Sequence, residues 1–167
     1  KTATPPGHWL SILNQLVSEQ GYSLDRAAEA YAKLGIAVAD SFIGCWNAKY
    51  NYDVLRPITY IQNMMDANWQ PLLHTSPFPE YPSGHSVQSA AAAVVLTEMF
   101  GEAFAFTDHT HDPHGLQARS FISFNEAAEE AALSRLYGGI HFRAAIEHGL
   151  EQWRCIGEKV VSLEFRQ

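Results

Sequence analysis

Apolar residues return every three or four positions along most of this chain, the spacing of helices that bury one face. Trp9, Ile12, Leu13, Leu16 and Val17 open the pattern, and Gly21 stops it. Ahead of them, Thr4-Pro5-Pro6-Gly7 reads as a loop, because proline disrupts a helix interior. Ser23 reads as the cap of a second helix, with Asp25 in its first turn. Ala30, Tyr31, Leu34, Ala37, Val38, Ser41, Phe42 and Cys45 carry its period to about Lys49. Arg56-Pro57 breaks the chain, and Pro57 is placed to open a short helix through Met65. Pro71, Pro77 and Pro79 make the stretch from Asn68 to Tyr81 a structured loop.

In the second half, Tyr81-Pro82-Ser83-Gly84-His85-Ser86 is a turn that leads into an alanine-rich helix from Val87, ended by Gly101. Ala103 to Thr107 reads as a short extended piece, and Asp108 to Gly115 as a polar loop. A strong helix is predicted from Phe124 to Tyr137, capped near Ser123 or Asn125 and stopped by Gly138-Gly139. A last one runs from Phe142 to about Glu164. Neither an internal repeat nor a linker is visible. The expectation is one all-α domain over 1–167, a helical bundle with long functional loops.

Composition narrows the partners. With 167 residues, 47% hydrophobic and 17% charged, the chain has a globular balance and enough length for a sizeable core. Its formal net charge of −7 argues against nucleic acid or an anionic membrane as the main partner, and it makes a local cluster of cations conspicuous. No apolar run is long enough to span a bilayer. Cys45 and Cys155 fall far apart in apolar helical patterns and are expected as two buried free thiols. The start at Lys1-Thr2-Ala3, without an initiator Met, is the expected look of a cleaved or trimmed product.

Three places carry candidate chemistry. A turn that opens a helix leaves backbone N–H groups unpaired at the positive end of the helix dipole, which suits a tetrahedral oxyanion. Ser83 adds a hydroxyl, Gly84 permits close approach, and His85 is a proton donor or acceptor near neutral pH; the plainer alternative is an ordinary N-cap. Lys49 and Arg56 are seven residues apart, about two helical turns, and so nearly on one face. Trp46, Tyr50, Tyr52 and Leu55 make that stretch aromatic, unlike the solvated face that is its alternative. Arg135 and His141 flank Gly138-Gly139, whose freedom lets both turn toward one point, though a helix-terminal Arg and a C-cap His would look the same. Asp108, His109, His111, Asp112 and His114 have metal-ligand atoms but no strict ligand spacing, so a solvent loop at a pocket mouth is the expectation there.

Taken in order, Lys49-x6-Arg56-Pro57, Pro82-Ser83-Gly84-His85 and Ser134-Arg135-x5-His141 form a three-part signature spanning more than half the chain. In it the chain resembles the superfamily of vanadium-dependent haloperoxidases and acid phosphatases, which includes the type 2 phosphatidic acid phosphatases. The resemblance implies a helical bundle holding vanadate or phosphate. It implies Lys49, Arg56 and Arg135 on the non-bridging oxygens, with hydrogen bonds from Ser83 and the Gly84 N–H. It makes His85 the acid–base group and His141 the ligand of vanadium, or the nucleophile toward phosphorus. Trp46 and Phe78 are similar to the aromatic residues that wall the halide site in the branch that oxidises chloride. Relatives of that kind are much longer, with two helical bundles, so a missing N-terminal half or a second chain is expected to complete the fold. An extracytoplasmic setting also follows from the resemblance.

The leading expectation is an oxidoreductase that uses vanadate and hydrogen peroxide to oxidise halide to a hypohalous species. The alternatives are a phosphomonoesterase acting on a phosphate ester through a phosphohistidine at His141, and a non-catalytic bundle. One pocket serves either enzyme, because vanadate and phosphate share shape and charge.

Overall fold

A helix that is apolar on every side must be buried on every side, and helix α4 (Gly84–Phe100) is the axis of this molecule. The computed structural model describes residues 4–165. In it Val87 through Ala93, Val95 and Leu96 are all buried. Around α4 stand α1 (Pro5–Gln20), α2 (Leu24–Tyr52), α5 (Phe124–Tyr137) and α6 (Arg143–Val161). Each presents the apolar face legible in the sequence: Leu13 and Leu16 from α1, Leu34 and Val38 from α2, Phe124 and Ala128 from α5, Val160 from α6. The short α3 (Pro57–Met64) lies outside this core and buries only Pro57.

The α4–α6 contact is close because α6 offers glycine where it crosses. A Cβ on Gly157 would stand 2.7 Å from Val94 Cβ and 2.8 Å from the Ala91 carbonyl oxygen. Gly157→Val is therefore expected to lower stability by about 1–3 kcal/mol through overpacking, read as a Tm several degrees lower. An unchanged melt would mean that the two helices can part without loss.

The chain departs from the sequence reading at several element ends; α4, for one, opens at Gly84, inside the stretch read as a turn, and not at Val87. Pro5 and Pro6 form the first turn of α1 and not a loop, with Thr4 as cap accepting from the Gly7 N–H at 3.4 Å; the first helical residues need no N–H, so proline is admitted there. Helix α2 continues to Tyr52 and is closed by Asp53 in the left-handed region at φ 46. Helix α6 starts one residue late, at Arg143, and ends at Val161. The extended piece near Thr107 is strand β1 (Phe106–Asp108), paired antiparallel with β2 (Arg119–Phe121), Phe106 opposite Phe121. Strand β2 is too short and too polar to show an alternation. The pair holds because Phe106 stacks on the buried Phe124 with ring centroids 4.9 Å apart.

Candidate anion site

The first turn of α4 is built to leave donors free. Ser83 is its cap: the Oγ accepts from the Ser86 N–H at 3.4 Å, and the Ser83 N–H donates to the Ala145 carbonyl at 3.0 Å. Among the described residues the N–H groups of Gly84 and His85 meet no acceptor. They point out of the helix at its positive end.

Two buried cations hold the loop that leads into this turn. Lys49 is fully buried, and its Nζ donates to the carbonyls of Pro79, Glu80 and Pro82 at 2.9, 3.0 and 2.6 Å. An ammonium has three N–H donors, so a direct bond from Lys49 to an anion requires it to exchange one of these carbonyls. Arg56 donates from Nε to Phe78 O at 2.9 Å, from Nη2 to Pro79 O at 3.3 Å and from Nη1 to Ile140 O at 2.9 Å. The two residues do not share a helical face, as their spacing suggested. Helix α2 ends between them, and Arg56 is the residue before α3. What unites them is the Pro79 carbonyl that both reach.

His141 arrives from beyond the Gly138-Gly139 turn, where Gly139 takes φ 72. Its Nδ1–H donates to Glu80 Oε1 at 2.8 Å, and the same oxygen accepts the Phe142 N–H at 2.9 Å. A carboxylate only accepts, so the proton of the neutral ring sits on Nδ1. The lone pair is then on Nε2, where Arg56 Nη1 approaches at 3.2 Å. Glu80 is 1% exposed. Sequence reasoning missed it; the available signal was a single carboxylate inside a proline-rich loop beside a cluster of cations.

Arg135, on the last turn of α5, donates from Nε to Ser134 Oγ at 2.9 Å and forms no ion pair among the described residues. It lines a cavity of about 250 Å³ together with His85 and Ser134. Lys49, Arg56, Ser83 and His141 are buried and do not line it. Burial is the main cause of every shifted pKa in this group. It lowers Lys49 to about 8 and pulls Arg56 and Arg135 down. It lowers His85 to about 3, helped by the charges of Arg135, His141 and His8. It lowers His141 against the pull of the Glu80 hydrogen bond. The center thus holds three cations, Lys49, Arg56 and Arg135, with Glu80 the carboxylate that acts on Lys49 and Arg56 and with both imidazoles neutral; Asp108 and Glu130 line the cavity of Arg135. Buried charge without a counter-charge is costly, and a small oxyanion at the Gly84 and His85 N–H groups would supply negative charge. The donor set fits vanadate or phosphate.

Trp46 and Phe78 stand together, ring centroids 5.0 Å apart, with Lys49 Nζ 5.8 and 5.2 Å from those centroids. The backbone of Gly84 passes beneath Trp46: a Cβ there would lie 3.7 Å from its ring. Cys45 is buried and free, its thiol pushed up to about 11 by burial, whereas Cys155 is free and exposed. The expectation of two buried thiols fails at Cys155 because that position of α6 faces solvent.

Residues 29–166 match the family model described as the VCPO second helical-bundle domain. The chain belongs to that family. It is 50% identical to the first bacterial vanadium-dependent iodoperoxidase of known crystal structure, at a TM-score of 0.95, covering 98% of this chain and 40% of that one. Holo and apo crystal structures of a bacterial vanadium-dependent chloroperoxidase share the fold, at 19% and 18% identity and TM-scores of 0.67 and 0.73. They cover 94% and 93% of this chain and 41% of each of those. The chain spans about two fifths of the length of these structures. No curated protein matches it. The resemblance to the vanadium haloperoxidases and the helical-bundle fold are therefore established, and no helix among the described residues is long and apolar enough to cross a membrane.

Proposed function

We propose that this chain is the oxyanion-binding bundle of a vanadium-dependent haloperoxidase that oxidises iodide with hydrogen peroxide. The observation that carries the proposal is the imbalance of two buried cations, Lys49 and Arg56, and a half-buried third, Arg135, against the carboxylate of Glu80 near the free first turn of α4, with the His141 proton held on Nδ1. The 50% identity to a structure described as an iodoperoxidase favours iodide over chloride.

Vanadate, when bound, would supply Lewis-acid activation of peroxide without needing to change oxidation state. Its holders would be His141 Nε2, the Gly84 and His85 N–H groups, the Ser83 hydroxyl, Arg56 and Arg135. Glu80 keeps the His141 proton on Nδ1 and so leaves the lone pair on Nε2, where Arg56 Nη1 would give way to vanadate. His85, neutral at physiological pH, has a ring nitrogen free to accept a hydrogen bond from peroxide, and an oxyanion bound beside Arg135 would raise its basicity from the value of about 3 set by burial and the neighbouring positive charge. Lys49 fixes the loop over Trp46 and Phe78 and brings positive charge to the place where a halide would meet those two rings. A preceding segment or second chain completes the fold in this proposal, and the setting is extracytoplasmic.

Iodide oxidation by the vanadate-loaded chain, with peroxide, is the direct test. Turnover that depends on vanadate is expected. Phosphatase activity that vanadate inhibits, with a phosphohistidine lost in His141→Ala, would replace the proposal with the phosphomonoesterase.

Lys49 also sets a pH dependence. The folded chain holds its proton less tightly than the ordinary 10.5, at about 8, so the unfolded chain binds more protons between those values. The contribution of Lys49 to stability therefore rises with pH across that window in the anion-free protein. Anion affinity moves the other way and falls as pH climbs through about 8, because the third cation is lost. Titration of phosphate binding across that pH in wild type and Lys49→Arg checks this: the break belongs to wild type alone.

A further inference from the structure

Three groups that the proposed reaction does not use share the wall of the cavity with His85 and Arg135. His8 comes from α1, Asp108 ends β1, and His111 follows in the loop; one ligand atom from each lies within 4.8 Å of the others. His8 Nε2 donates to Asp108 Oδ2 at 2.7 Å, and the His8 and His111 rings meet edge to face at 4.3 Å. Asp108 is buried, and its other oxygen is fixed by the Thr110 N–H at 2.9 Å and the Thr110 hydroxyl at 2.7 Å. His111 Nε2 is buried and has no hydrogen-bond partner.

We propose that His8, Asp108 and His111 form a binding site for a divalent transition-metal cation of the zinc class. An ion pair of His8 and Asp108 explains two of the three residues and leaves the third unexplained, since an orphaned buried imidazole nitrogen is costly. Two imidazoles and a carboxylate are the donor set of a zinc site with an open fourth position. Calcium and magnesium need more oxygen ligands than are offered. With bonds of about 2.0–2.1 Å, tetrahedral ligands stand about 3.3 Å apart. His8 and Asp108 must therefore open slightly from their hydrogen-bonded distance, and His111 must close on them. Thr110 supplies the outer hydrogen bonds that orient a ligating carboxylate. All three residues line the cavity that Arg135 also lines, so a further ligand on the metal from that side would share space with an anion held by Arg135. The loop from Asp108 to His114 thus offers two ligands, Asp108 and His111, and the third comes from α1, outside any spacing within the loop.

The test is calorimetric titration of the vanadate-free chain with zinc chloride, with the Co(II) absorption spectrum as a second readout of nitrogen and oxygen ligation. Expected are one cation per chain, a raised Tm, and affinity weakened at least tenfold in His8→Ala and His111→Ala. His109→Ala and His114→Ala, on the same loop, are expected to bind like wild type. No binding, wild-type affinity in His111→Ala, or an equal loss in the two loop controls would overturn the site. If His8→Ala fails to fold, His111→Ala decides alone, because it removes no ion pair. Vanadate is absent throughout, so failure here leaves the oxyanion assignment standing.

Discussion

Arg135→Ala is expected to remove most of the affinity for vanadate or phosphate while leaving the anion-free fold intact. Loss of one partner of a buried, hydrogen-bonded charge pair costs about 2–5 kcal/mol, or roughly thirtyfold to several-thousandfold in Kd. The fold is spared because the Arg135 side chain does little structural work: among the described residues its hydrogen bond goes to the adjacent Ser134, and burial already disfavours its charge. The anion-free Tm of the variant should be equal to wild type or higher. Arg56→Ala provides the contrast. That side chain holds the carbonyls of Phe78, Pro79 and Ile140, so its loss should reduce anion affinity and stability together. Calorimetric titration with phosphate and a melt of each variant separate the two effects. Wild-type affinity in both variants would refute the pocket.

The split between these arginines was not legible in the sequence, which only grouped them through the three-part signature. Lys49, Arg56, Ser83, Gly84, His85, Arg135 and His141 were singled out by short motifs, but the spacing of Lys49 and Arg56 misplaced them on one helical face because α2 ends between them. Their work depends on what the loop from Phe78 to Pro82 does, and a proline-rich loop has no period to read. Lys49 spends its donors on that loop. Glu80, the one carboxylate at the center, was overlooked because it stands among prolines and matches no motif. The helices were readable because α4 is alanine-rich and the others carry apolar stripes of helical period. Their ends were less so: the first turn at Pro5 and the run of α2 past Lys49 depend on cap geometry at Thr4 and Asp53. The His8 contact to Asp108 joins residues 100 positions apart, a separation at which no local pattern exists.

Glu80 is where the second large effect is expected. Glu80→Ala takes away the acceptor of two donors, His141 Nδ1–H and the Phe142 N–H, and with it the one negative charge beside Lys49 and Arg56. Breaking a buried pair from one side costs about 3–5 kcal/mol, a large share of the 5–15 kcal/mol by which a typical domain is stable. The deficit has a specific remedy: an oxyanion bound at the first turn of α4 brings back negative charge, so phosphate should raise the Tm of Glu80→Ala more than that of wild type. Glu80→Gln keeps an acceptor for His141 and gives up only the charge, and it should melt between the two. Its vanadate affinity should fall by about 10- to 100-fold, the usual penalty for loosening the group that orients a ligating histidine. Chemical denaturation of the three proteins, with and without phosphate, measures this. A Glu80→Ala chain as stable as wild type, and no more responsive to phosphate, would show that the buried cations are balanced by something other than Glu80.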